Sequence, residues 1–192
     1  MIKYLRELLD TPFLNNEVLG NSLSNWIISL FIIIVFISIS RLVKWIIRTL
    51  VKAIINRTKA KADDIIVSRV ENPFVFSFII AGCKIALLLL TFSPMVDNVI
   101  SKIFIVIITI NATWFISGLI SGLLDGFVRP RVQVGPNESG NHVFNIVRKI
   151  IVGLIWAFGI VSALNNSGYD VGALIAGLGI GGIAMAMAAQ NT

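Results

Sequence analysis

The residues at the C-terminal end of the sequence have the types and spacing expected of a helix that lines a pore. Gly and Ala make up 11 of the 22 residues from Val171 to Thr192, and none of the 22 is charged. On a helical wheel, one line of side chains contains two bulky apolar residues, Ile183 and Met187. In a ring of such helices these two would form stacked apolar collars, and a narrow apolar constriction blocks ions by dewetting. The whole line consists of Ala176, Gly179, Ile183, Met187 and Gln190.

Small residues cover two further sides of the same helix. Each Gly costs a helix about 1 kcal/mol relative to Ala, so this composition suits a place where close packing compensates. A helix with small side chains on two sides can pack against a copy of itself on each side, as a closed ring requires. The same composition is also typical of a membrane helix that only packs against its neighbours. The first strip contains Gly177, Gly181, Ala184 and Ala188, and the second contains Gly182, Met185 and Ala189.

The segment also contains a motif that is typical of dinucleotide-binding proteins. Gly177, Gly179 and Gly182 match G-x-G-x-x-G, in which glycines let the backbone approach a pyrophosphate. The fingerprint needs a strand before it, a βαβ unit around it and an acidic residue about 20 positions later. Apolar runs precede the motif and only ten residues follow it. The context therefore favours a membrane helix over a nucleotide site.

Four other residues have side chains that could carry chemistry. Lys84 lies inside an apolar run, and we expect its flexible stem to carry the ammonium to the membrane surface. Asn111 lies in the middle of another run, and we expect it to bond to a neighbouring helix. His142 stands alone in a predicted loop, and Cys83, the one cysteine, cannot form an internal disulfide. The sequence predicts no catalytic residue, no metal site and no cofactor.

The composition shows what kind of element must position these residues. Of the 192 residues, 56% are hydrophobic and 14% are charged, whereas an average globular chain is about half apolar and a quarter charged. The mean hydropathy is +0.89. These values exclude a soluble enzyme, a disordered chain and a disulfide-stapled secreted domain.

Five apolar runs are each long enough to cross the ~30 Å hydrocarbon core of a membrane, so we predict an all-α membrane protein. In the third run, Gly118, Gly122 and Gly126 repeat at a spacing that lets a neighbouring helix approach closely. The predicted segments are an N-terminal amphipathic, interfacial segment over 1–25, spans over 26–48, 73–92, 96–124 and 144–165, a basic cytoplasmic connection over 49–72, a cytoplasmic loop over 125–143, and the terminal pore helix over 170–192.

The distribution of basic residues predicts the orientation in the membrane. Residues 41–72 hold eight of the sixteen Lys and Arg, and residues 125–149 hold four more. The turns at 92–98 and 165–170 hold none. By the positive-inside rule, the N-terminus is outside and the C-terminus is cytoplasmic. The net charge of +6 is then explained by basic segments that face the anionic lipids of the cytoplasmic leaflet. No nucleic-acid partner is predicted.

The stretch from Phe144 to Thr192 resembles the small-conductance mechanosensitive channel (MscS-like) family. The resemblance is carried by the helix NIVRKIIVGLIWAFGIVSAL, the turn NNSGYDVGAL and the segment IAGLGIGGIAMAMAAQNT. In that family a Gly/Ala-rich pore helix follows such a turn and kinks just after a polar pair like Gln190–Asn191. Seven copies form the pore, and two apolar positions four apart close it. Ile183 and Met187 match those positions.

The resemblance implies a homo-oligomeric channel of the cell (inner) membrane that opens under membrane tension. It would release ions and small solutes on osmotic downshift, with membrane lipids as its other partners. Residues 1–143 resemble the family only in having extra amphipathic or spanning helices, as longer members with five spans do. In the family the pore helix continues past the kink and a cytoplasmic domain follows. The sequence stops at the expected kink, so we expect it to be the membrane part of a longer protein.

Two alternatives come from other functional classes. A secondary transporter would need inverted repeats and helices broken at the midplane, and five spans do not divide into equal halves. A non-conducting membrane anchor or assembly module of a larger protein is compatible with a ring-forming helix. The downstream sequence would discriminate between these alternatives, because a β-rich domain favours the channel and further spans favour the transporter.

Overall fold

The computed structural model, which describes residues 17–55, 61–129 and 138–190, consists almost wholly of helices. A short strand pair, β1 (Glu17–Val18) and β2 (Asn21–Ser22), precedes them. The helices are α1 (Leu23–Ile55), α2 (Lys61–Leu88), α3 (Pro94–Leu123), α4 (Glu138–Asn166) and α5 (Gly172–Gln190). Of the predicted N-terminal segment, the amphipathic part before residue 17 lies outside the described residues.

Each of these five helices contains a stretch long and apolar enough to cross a membrane. The stretches are 27, 24, 35, 26 and 19 residues long, and about 20 residues suffice at a rise of 1.5 Å each. They are Leu23–Thr49, Ile65–Leu88, Pro94–Val128, Asn141–Asn166 and Gly172–Gln190. For the described part of the chain, the prediction of an all-α membrane protein with five spans is confirmed.

A polar clamp ties the start of α1 to the end of α2. Asn21 is only 2% exposed, and its Oδ1 accepts a hydrogen bond from the Thr91 N–H at 2.6 Å. Its Nδ2 donates to the Thr91 carbonyl at 2.8 Å. Farther along α1, Ser29 Oγ donates to the Ala86 carbonyl at 2.9 Å. These bonds satisfy backbone groups at the end of α2 and fix the two helices side by side.

The second helix extends well beyond the predicted span. α2 begins at Lys61 rather than at Pro73, which lies fully buried inside it. A proline leaves the carbonyl four residues earlier without its helical partner, here that of Arg69. Gly118 of α3 lies against this carbonyl, since a Cβ added to Gly118 would be 2.7 Å from Arg69 O. Prolines are tolerated inside membrane helices that pack against neighbours. The connection predicted over 49–72 is helical wherever it is described, as the end of α1 and the start of α2.

The loop predicted over 125–143 is also shorter than expected. α3 continues into a π-helical turn, Leu124–Val128, and α4 already begins at Glu138. His142 therefore lies in the first turns of α4 and not in a loop. The helical backbone persists past the predicted end of α3 because buried Asp125 is held there by ion pairs from α2 and α4.

Small residues let the first four helices pack closely in chain order, α1 on α2, α2 on α3 and α3 on α4. A Cβ added to Gly122 would lie 2.8 Å from the Ile66 Cα of α2. One added to Gly159 of α4 would collide with Thr113 of α3. The predicted close approach along Gly118 and Gly122 is confirmed, and α2 is the helix that approaches.

A tight turn predicted from the residues Asn165, Asn166, Ser167 and Gly168 is present at Ser167 and Gly168, whereas Asn165 and Asn166 still belong to α4. Gly168 has a φ of +89°, a conformation that costs glycine little. The Tyr169 N–H donates to the Leu164 carbonyl at 3.1 Å, and the Gly168 N–H donates to the Asn165 carbonyl at 3.0 Å. This pair of bonds ends a helix at a left-handed glycine. The turn joins α4 to α5.

Candidate pore helix

The candidate pore helix, α5, starts with a capped first turn. Asp170 Oδ1 accepts a hydrogen bond from the Gly172 N–H at 2.8 Å, which satisfies one of the free N–H groups of a helix start. Val171, directly before the helix, is buried at 6% exposure. The residue directly before α5 is therefore packed against the rest of the described chain.

Beyond that start, no other described helix covers α5. None of the residues from Gly172 to Gln190 is buried. The candidate gate residues Ile183 and Met187 are 64% and 61% exposed. In the most apolar part of the span, 28% of the residues are buried in α2 but none in α5. All sides of this apolar helix are thus available to partners outside the described chain.

The glycines of α5 have open space around them. A Cβ added to Gly177 or Gly181, in the first small strip, would meet no atom within 4 Å. The same is true of Gly179 and Gly182. Glycines lower helix stability, and within the described chain nothing packs into the space that these four leave.

The structure places every predicted pore and packing residue on this one helix. Because α5 is continuous to Gln190, residues at helical spacing share faces as the wheel requires. Asn191, the second member of the polar pair, lies outside the described residues. The residues brought together in this way are Ala176, Gly177, Gly179, Gly181, Gly182, Ile183, Ala184, Met187, Ala188 and Gln190.

The dinucleotide motif does not have the surroundings that such a site needs. Gly177, Gly179 and Gly182 all lie within α5, so their N–H groups are part of a regular helix rather than of a strand-to-helix turn. A pyrophosphate cradle needs free N–H groups at a helix start. Within α5 the motif therefore does not form a pyrophosphate cradle.

The two polar residues inside the runs contact neighbouring helices. Asn111 Nδ2 donates to Ser77 Oγ of α2 at 2.7 Å, which confirms the expected interhelical bond. Lys84 Nζ lies 5.2 Å from the centre of the Phe104 ring of α3. An ammonium over an aromatic face is stabilised by the ring quadrupole, so this charge has a partner inside the chain.

Comparison with known proteins agrees with this geometry. Residues 149–190, which contain most of α4 and all of α5, match the family model "Mechanosensitive ion channel, transmembrane helices 2/3". The Small-conductance mechanosensitive channel MscMJ of Methanocaldococcus jannaschii is 33% identical over 179 residues, which are 93% of this chain and 51% of that protein. The chain belongs to the MscS family.

Other relatives match this MscS-family chain over a stretch of similar length. The Large-conductance mechanosensitive channel MscMJLR of Methanocaldococcus jannaschii is 23% identical over 182 residues, 94% of this chain and 50% of that protein. An uncharacterized MscS family protein of Aquifex aeolicus is 26% identical over 179 residues, 93% of this chain and 48% of that protein. The chain thus spans about half the length of the curated relatives it matches. No solved structure matches it significantly.

Two charge clusters of this MscS-family chain were missed in the sequence. Buried Glu71 of α2 binds Arg48 Nε at 2.8 Å and Lys44 Nζ at 3.5 Å, both from α1. The second cluster is centred on Asp125 and is described below. The sequence signal was a few acidic residues within each basic segment. The partners of Glu71 and Asp125 stand on other helices, and spacing along the chain does not indicate them.

Proposed function

We propose that the chain is the membrane part of an ion channel that opens under membrane tension and releases ions and small solutes on osmotic downshift. The observation that carries the proposal is the uncovered helix α5, which has no charged residue and no buried residue. A helix of this composition is stable where close neighbours fill the space beside its glycines. We assign those neighbours to α5 of further copies of the chain.

In a closed ring of identical copies, both strips of small residues on α5 would pack against a neighbouring helix. Each copy would present Gly177 and Gly181 to one neighbour and Gly182 to the other. Ala184 and Ala188 extend the first strip. Rings form when one surface of a protomer fits a different surface of the next and the rotation closes. The number of copies, seven, follows from the family resemblance.

The face between the strips then lines the pore. Ile183 and Met187 would form two apolar collars, which hold back ions by dewetting in the closed state. Ala176 and Gly179 line the wider part before the collars, and Gln190 lies after them. Membrane tension favours the state with the larger area in the bilayer plane, so it shifts the population towards a wider ring.

The proposed topology follows from the basic end of the bundle. Arg48, Arg69 and Arg148 take part in ion pairs where α1 ends and where α2 and α4 begin. By the positive-inside rule this end is cytoplasmic, which puts the N-terminus outside the cell membrane and the C-terminal end of α5 inside.

The test is a patch-clamp recording of the full-length protein in liposomes, with suction applied in steps. We expect discrete currents that appear with tension and vanish on its release. Ile183→Ser should lower the tension needed, since a hydroxyl in the collar favours water in the pore. Leu174→Ser is the matched control, because Leu174 lies on the opposite side of the same helix. Silence up to patch rupture, with the protein shown to be present, would instead favour a transporter or a non-conducting anchor.

A further inference from the structure

A basic cavity lies between three helices at the end of the bundle that we assign to the cytoplasm. Its volume is about 420 Å³. Arg69 comes from α2, a row of small and aromatic residues comes from α3, and two cations come from α4. The cavity contains no residue of α5. Its lining is Arg69, Trp114, Ser117, Gly118, Ser121, Arg148, Lys149, Val152, Gly153 and Trp156.

The cations of this cavity exceed the acidic charge beside them. Arg69 Nη2 and Arg148 Nε share the carboxylate of Asp125, at 3.2 Å and 3.3 Å. Among the described side chains, Lys149 forms no ion pair. Three positive groups therefore face one carboxylate, and the cavity has an excess charge of about two.

One of these cations also has an unused donor. Arg148 Nε is shielded from solvent, and its approach to Asp125 does not have the geometry of a hydrogen bond. A shielded donor without a partner is costly, and an oxygen ligand would remove that cost. Buried Ser117 and Ser121 add hydroxyls on the facing wall, and hydroxyl and guanidinium groups together are typical of phosphate sites.

We propose that this cavity binds the phosphate of an anionic phospholipid from the cytoplasmic leaflet. A lipid is favoured over a soluble anion because all three helices are membrane spans and the cavity is at the end of those spans. Trp114 and Trp156 line its deeper part, towards the middle of the spans, and offer apolar surface to the rest of a lipid molecule. The excess positive charge favours an anionic headgroup over a zwitterionic one.

The site is separate from the proposed pore. Its three helices belong to the packed part of the chain, and its lining is complete within one copy. The proposal therefore stands or falls on lipid binding, whether or not the protein conducts ions.

The experiment is a lipid titration of the delipidated full-length protein in detergent, followed by native mass spectrometry. Dioctanoyl phosphatidylglycerol is the anionic probe, dioctanoyl phosphatidylcholine is the zwitterionic one, and inorganic phosphate is the soluble competitor. We expect tighter retention of phosphatidylglycerol than of phosphatidylcholine. Lys149→Gln should weaken the retention of phosphatidylglycerol about tenfold, as expected for one charge-assisted bond. Lys149 is exposed and unpaired among the described side chains, so this change should leave folding intact.

Lys102→Gln is the matched control, because Lys102 is an exposed lysine near the opposite end of α3. It should leave the retention unchanged. Arg148→Lys keeps a charge beside Asp125 and should weaken binding less than Arg148→Gln does. Equal loss of lipid in the Lys102 and Lys149 variants would overturn the site, since it would indicate attraction to net charge alone. Displacement of the lipid by inorganic phosphate at equal concentration would overturn the lipid assignment and indicate a soluble phosphate instead.

Discussion

Glycines at four-residue spacing occur in α3 and again in α5, but their surroundings are opposite. Gly118 and Gly122 of α3 lie against the backbone of α2, with 2.7 Å and 2.8 Å from an added Cβ to the nearest atom. Gly177 and Gly181 of α5 have no atom within 4 Å of that position. The same sequence pattern thus marks a filled helix contact in one region and an open one in the other.

The difference teaches how to read small-residue strips in a membrane protein. Such a strip permits close approach of a second helix, but it does not say whether that helix belongs to the same chain. In α3 the partner is α2 of the same copy. In α5 the space beside four glycines is unfilled within the described chain, and this contrast is the reason for assigning the second partner to another copy.

The largest effect is expected where the open strip is filled with a bulky side chain. Gly181→Leu should abolish assembly into the proposed ring, because the leucine would occupy the space that the proposal assigns to the neighbouring helix. The helical content of each copy should be kept, since nothing in the copy itself contacts Gly181. Light scattering of the purified protein gives the mass, and circular dichroism gives the helix content.

Gly181→Ala is the conservative control for this change and should still assemble. If the leucine variant forms the same ring as the parent, the open strip is not a contact between copies. The comparison between α3 and α5 would then no longer indicate assembly.

A pair of methionines can show which side of α5 faces the pore. Met187 lies on the proposed pore line, and Met185 lies in the second packing strip. Met187→Ser should lower the activation tension and cause leak currents in the absence of tension. The substitution removes about 1.5–3 kcal/mol of apolar burial from the collar in each copy. Met185→Ser should leave the pore dry at rest. Patch-clamp recordings of both variants compare them directly. If Met185→Ser causes the leak and Met187→Ser does not, the pore face and the packing face are assigned the wrong way round.

A bulky substitution in the filled contact of α3 should lower the stability of each copy, whereas one in the open strip of α5 should block assembly. Gly122→Val forces a side chain against the Ile66 Cα, and overpacking of this kind costs about 1–3 kcal/mol. We expect a lower free energy of unfolding for each copy, measured by denaturation in detergent. Gly153→Ala is the control, because a Cβ added at Gly153 meets no atom within 4 Å. Equal stability of the two variants would mean that α2 moves aside without cost.

The sequence predicted well those features that depend on local chemistry. The five apolar runs need only length and hydropathy, and the turn at Gly168 needs only a residue that tolerates a positive φ. The start of α2 at Lys61 was missed because Pro73 usually marks a helix boundary. Here α3 approaches the carbonyl that the proline leaves free. That close approach comes from a distant segment, so local rules do not predict it.

The charge clusters show the same limit. Asp125 binds Arg69, which is 56 residues earlier in the chain, and a pairing of this kind appears only when helices are placed side by side. The candidate pore residues could be proposed from the sequence because a single helix carries them all. Which of its faces meets which neighbour depends on the other copies, and this assignment stays a prediction.

The smallest effect is expected for the polar bond between α2 and α3. Asn111→Ala removes the bond to Ser77 Oγ, and interhelical bonds in membranes contribute only about 0.6 kcal/mol on average. Thr109→Ala is the control, since its hydroxyl bonds to the Ile105 carbonyl of its own helix. The free energies of unfolding should differ by no more than that small amount. A loss as large as that of Gly122→Val would mean that Asn111, and not close backbone approach, holds α3 against α2.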